Sequence, residues 1–112
     1  MKMRTAGWVA GLVLGAVGAA AAQDQGQVEA GRKVFAAQKC SICHSIAGQG
    51  NKNGSLDGVG SKLSADEIRQ WIANAPEMAA KTNAQRKPVM KVFMLPKTEL
   101  DSLVGYLQSL KK

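Results

Sequence analysis

Apolar positions recur at helical spacing in three parts of the chain. The clearest run is C-terminal, where Leu100, Leu103, Val104, Leu107 and Leu110 fall on one face with Tyr106 at its edge. Thr98 stands where an N-cap belongs, Glu99 and Asp101 follow in the first turn, and Lys111 and Lys112 lie past the end. That charge order suits the helix dipole. A second helix is predicted from Ser64. Ser64-Ala65-Asp66-Glu67 has the form of a capping box, and Ile68, Trp71 and Ile72 make an apolar stripe until Asn74-Ala75-Pro76 stops it. A third is predicted over Glu29–Lys39, with Ala30, Val34 and Ala37 on one face and Phe35 beside them. Gly31 inside it weakens the helix, which implies that another element packs closely there.

The segments between these helices read as loops. Ala47–Gly60 is rich in glycine and Asx residues, and Thr82–Lys97 is polar, basic and broken by Pro88 and Pro96. A short turn or helix is predicted at Glu77–Lys81, and no alternating strand pattern is visible anywhere. Two such loops lose much conformational entropy on ordering and add little core. Either they are disordered or a bound group sits between them.

Composition sharpens that choice. The chain has 112 residues, 46% of them hydrophobic and only 4% aromatic, which limits it to one small domain with thin core stock. Doubly wound nucleotide-binding enzymes and (β/α) barrels need far more chain. Domains this small often need a metal, disulfide or cofactor. The N-terminus narrows the domain further. Met1-Lys2-Met3-Arg4 is a basic head, Thr5–Ala22 is uncharged, and Ala20-Ala21-Ala22 offers a small-x-small cleavage site. Residues 1–22 therefore read as a cleaved signal peptide, with a retained membrane anchor as the alternative, and residues 23–112 as a domain working in the periplasm. The formal charge of +7 drops to +5 without Lys2 and Arg4.

The chemistry centres on Cys40-Ser41-Ile42-Cys43-His44, the form of a c-type haem attachment site. Two thiols three residues apart reach two vinyl groups of one haem, and the adjacent imidazole reaches its iron. The rival readings fit less well. A disulfide would close a tiny ring, a thioredoxin-like dithiol lacks its βαβ setting, and zinc lacks four ligands. A Cys–His nucleophile would need an unusual turn to pair adjacent side chains. The single histidine leaves one axial position for a methionine, whose thioether suits a soft iron site. Met78, Met90 and Met94 are the candidates after the signal segment.

Several segments in order resemble a class I cytochrome c of the small bacterial monohaem kind. Gly31-Arg32-Lys33-Val34-Phe35 precedes the attachment pentapeptide, Gly54-Ser55-Leu56-Asp57-Gly58-Val59-Gly60 follows it, and Lys87-Pro88-Val89-Met90-Lys91-Val92-Phe93 leads to Leu100-x-x-Leu103-Val104-Gly105-Tyr106-Leu107. The resemblance runs from Val28 to Lys111. It implies an all-α, class I cytochrome c-like fold, with three to four helices and long loops wrapped around one covalently bound haem c. It implies haem binding through Cys40, Cys43, Leu56, Val59 and Trp71, with iron ligation by His44 and Met90. Met90 is favoured because Phe93 and Leu95 stand where the family places an aromatic and a leucine after its ligand. Gly31 and Phe35 would meet Leu103 and Tyr106. The chain departs from the family at Ser55 and Lys91, where proline is common, and in one extra residue between Phe35 and Cys40.

With both axial positions filled, the expected role is one-electron transfer between respiratory or dehydrogenase partners, without enzymatic turnover. The alternatives are a dedicated haem subunit of a larger periplasmic complex and a sensor with a labile sixth ligand. Lys33, Lys39, Lys52, Lys62, Arg86, Lys87 and Lys91 surround the haem-binding segments. They are expected either to steer acidic redox partner proteins or simply to solubilise the surface. No nucleic acid or small-molecule substrate is implied, and membrane contact is expected only through membrane-bound partners or an uncleaved anchor.

Overall fold

The computed structural model describes residues 24–112, so the signal segment lies outside the described residues. Helix α1 spans Gln25–Ala37, starting four residues before the predicted Glu29. Its first turn is polar and shows no apolar period. What starts it is Asp24, whose carboxylate accepts the Gly26 N–H at 3.0 Å. Its buried positions are Gly31 and Phe35, while Ala37 is exposed, so the buried face lies one step round from the predicted one.

The next stretch corrects the expectation of no strands. Ser45–Ile46 (β1) and Gln49–Gly50 (β2) pair antiparallel, Ser45 opposite Gly50 and Ile46 opposite Gln49. The turn between them has positive φ at both Ala47 (52°) and Gly48 (81°), which suits the right-handed twist of a hairpin. Strands two residues long cannot display an alternating pattern.

Four more helices follow. They are α2 (Val59–Lys62), α3 (Ala65–Ala73), α4 (Ala75–Thr82) and α5 (Lys97–Gln108). The predicted capping box opens α3, with Glu67 N–H on Ser64 Oγ at 3.1 Å and Ser64 N–H on Glu67 Oε1 at 2.8 Å. Asn74 separates α3 from α4, where Pro76 is tolerated because the first turn needs no donor there. Thr98 does not cap α5. Pro96 holds the N-cap position and its carbonyl accepts the Leu100 N–H at 2.9 Å, which puts Thr98 inside the first turn.

The architecture is predominantly helical, and the short α2 and α4 bring the α-helical segments among the described residues to five. Helices α1 and α5 cross at Gly31. A Cβ there would overlap the Ser102 carbonyl oxygen and lie 2.5 Å from Tyr106 Cβ, so only glycine lets the two backbones approach this closely. One turn on, Phe35 meets Tyr106 edge to face, with ring centroids 6.0 Å apart. Phe35, Ile68, Ile72, Leu103, Val104 and Leu107 form the core, to which α3 contributes its isoleucines. Arg69 of α3 bonds Asp101 of α5 at 2.7 Å, and Lys97 bonds the other carboxylate oxygen at 2.8 Å. Lys97 and Arg69 together hold the Asp101 carboxyl below the usual carboxylate range. Helix α2 locks the end of α5 through Gly60 N–H on Leu110 O at 2.8 Å and Gln108 Nε2 on Gly60 O at 3.0 Å. No helix among the described residues is long and apolar enough to cross a membrane.

Candidate functional site

The attachment pentapeptide is presented by the end of α1. The chain leaves that helix through Lys39, in the left-handed region at φ 58°, and enters a 3-10 turn over Cys40–Ile42. The Cys40 carbonyl accepts both the Cys43 N–H at 3.1 Å and the His44 N–H at 2.9 Å, so the first cysteine and the histidine are brought round one turn. Neither thiol is in a disulfide. Cys40 is half-buried against the core, and that burial pushes its thiol up to about 11. Cys43 is exposed.

The hairpin and the loop after it fold back over this turn. Asn51 N–H is shared between Ser41 O and His44 O, both at 3.1 Å, and Asn51 Nδ2 donates to Ile42 O at 3.1 Å. Ser45, buried, accepts the Leu56 N–H on its carbonyl at 2.8 Å. The result is that Gly54 O comes to lie 2.9 Å from His44 Nδ1. A carbonyl can only accept, so Nδ1 carries the proton and Nε2 is left with its lone pair. Burial holds the imidazole below its ordinary pKa and the nearby Arg86 charge acts in the same direction, against the opposing pull of the Gly54 bond. At neutral pH the ring is therefore neutral and ready to ligate through Nε2, oriented as ligating histidines generally are. The carbonyl belongs to the residue just before Ser55, the position where the family commonly has proline.

The other predicted site residues are distributed around this unit. Leu56 and Val59 are half-buried and pack on the core. Trp71 is half-buried on α3 but stands outside the core cluster. Met90 is half-buried in the loop between α4 and α5, in a concavity of about 500 Å³ whose walls include Pro76, Ala79, Ala80 and Ala84. His44 and the two cysteines do not line that concavity. Met94 is 92% exposed and Met78 is buried. The resemblance implies a backbone carbonyl near Ser55 on the imidazole, and Gly54 O is that carbonyl. One contributor escapes sequence reasoning: Arg86, whose Nη2 donates to Cys43 O at 2.7 Å across a separation that no local pattern reports.

The donor set suits an iron porphyrin, which brings four equatorial nitrogens of its own and asks the chain for thiols, one imidazole and one soft axial ligand. Among the described residues no group of three or more His, Cys, Asp and Glu side chains is placed to hold a bare metal ion. Fold and site thus define a small helical domain that presents a haem-attachment turn. Residues 28–111, nearly the whole described chain, match the sequence profile of cytochrome c. No curated protein and no solved structure gives a significant match. The chain belongs to the cytochrome c family, as a small bacterial c-type cytochrome of class I. Members of that family are haem-binding electron carriers, not enzymes, and the Cys40–Cys43 spacing is that of covalent haem attachment.

Proposed function

We propose that the protein is an exported, periplasmic one-electron carrier in which Cys40 and Cys43 hold haem c while His44 and Met90 occupy its axial positions. The observation that carries this reading is the His44 Nδ1–Gly54 O bond, which leaves Nε2 unprotonated on the residue that follows Cys43 in the attachment turn. Haem bound there supplies a ferric/ferrous couple that takes up and gives back one electron. Leu56 and Val59 provide an apolar wall continuous with the core. Trp71, outside the core cluster, remains available to the polar edge of the group. Among the methionines, Met94 is too exposed to be held over a haem face and Met78 is engaged in packing, so half-buried Met90 is the favoured ligand.

Partner choice follows from charge. Lys33, Lys39, Lys52, Lys62, Lys87 and Lys91 are all exposed, on or next to the segments that would surround the haem. A surface of that sign speeds encounter with acidic redox proteins, and salt screens the attraction over about 10 Å at 0.1 M. Electron exchange with an acidic redox protein is therefore expected to slow about tenfold between low and physiological ionic strength. Lys39→Glu and Lys87→Glu together should flatten that dependence. Stopped-flow rates that stay level or rise with salt in the unaltered protein would remove the proposed docking surface.

A further inference from the structure

The loop that carries Met90 has few tethers. From Gln85 to Val92 the main chain makes no backbone–backbone hydrogen bond to any described residue, and Lys81 to Val89 are exposed throughout. Two bonds bracket Met90. Downstream, Phe93 N–H donates to Ile72 O at 3.0 Å and ties the loop to α3. Upstream, Arg86 Nη2 donates to Cys43 O at 2.7 Å and ties it to the attachment segment.

The place where the guanidinium lands is specific. Gly54 has no side chain, and a Cβ there would overlap both Arg86 Nη1 and Cys43 O while lying 2.8 Å from Arg86 Cζ. The guanidinium thus fills the open face of the same residue whose carbonyl orients His44. Arginine suits this position because its planar fork presents one nitrogen to Cys43 O while the other lies over the glycine. One side chain thereby touches the backbone on both sides of the His44 bond and starts the span that delivers Met90.

We infer that Arg86 is a positioning residue that clamps the Met90 loop to the His44 segment and so sets how readily Met90 is displaced from the iron. The inference rests on the His44/Met90 reading above. Its consequence is an axial ligand whose retention depends on a surface hydrogen bond 43 residues away in sequence from its acceptor. The loop's own backbone supplies no substitute.

The test uses exported, oxidised holoprotein titrated with imidazole, followed by loss of the sulfur-to-iron charge-transfer band. Arg86→Gln should bind imidazole about fivefold more tightly than the unaltered protein, the effect expected of one exposed hydrogen bond from a charged donor. Arg86→Lys should fall between the two, since lysine keeps the charge and a donor but not the fork. Lys81→Gln, which removes the same charge from the end of α4, should behave like the unaltered protein. Equal affinities for Arg86→Gln and the unaltered protein would overturn the clamp. So would a Lys81→Gln shift as large as that of Arg86→Gln, which would assign the effect to net charge. An unaltered protein with haem but no sulfur band would instead overturn Met90 ligation, and the clamp with it.

Discussion

Without its haem, the chain is expected to lose cooperative folding altogether. The core cluster holds six buried side chains, with Ala75 and Met78 buried outside it, and no large side chain among the described residues is fully buried. A single core in so small a domain supplies little net stability. Against that stand two long segments, from the end of α1 to α2 and from α4 to α5, whose ordering costs conformational entropy at every residue. Cys40, Leu56 and Val59 are only half-buried and have apolar surface still to cover. Covering it with a rigid macrocycle, bonded to the chain at two cysteines, supplies the missing term. A Cys40→Ala/Cys43→Ala chain should show a broad, non-sigmoidal thermal profile by circular dichroism, with much of the native helical signal gone. A sharp transition at an ordinary mesophilic melting temperature would show that the protein core suffices alone.

The second large effect is expected at Met90. Met90→Ala should abolish the sulfur-to-iron band, open the sixth position to added imidazole, and lower the reduction potential by on the order of 0.1 V. That is a fraction of the roughly 0.8 V that axial ligation spans, and the direction follows because thioether ligation favours the reduced state. Met94→Ala should leave all three properties unchanged, since that side chain is 92% exposed. If the two variants exchanged behaviours, the family spacing of Phe93 and Leu95 would have pointed to the wrong methionine.

Features built from consecutive residues were the legible ones. The pentapeptide Cys40–His44, the Ser64–Glu67 capping box and the leucine face of α5 each announce themselves within one or two turns of chain. Gly31 was legible as a close approach, and the structure places Ser102 and Tyr106 against it. The misses have physical causes. The first turn of α1 is polar, so only its Asp24 cap marks it. At α5, Pro96 allows the helix to begin one residue ahead of the threonine that looked like a cap. The hairpin is set by the positive φ of Ala47 and Gly48 and is too short for periodicity. Arg86 looked like one basic residue among seven, because an acceptor on the Cys43 carbonyl exists only once the chain has folded.

The His44 turn and the Met90 loop are expected to meet on one covalently held haem, and the optical spectrum of the exported protein, recorded oxidised and reduced, reads that meeting directly. It should show c-type haem bands that survive denaturing extraction, together with the sulfur-to-iron band in the oxidised state. Haem bands without the sulfur band would contradict Met90 ligation, and an exported protein with no chromophore at all would contradict the haem site itself.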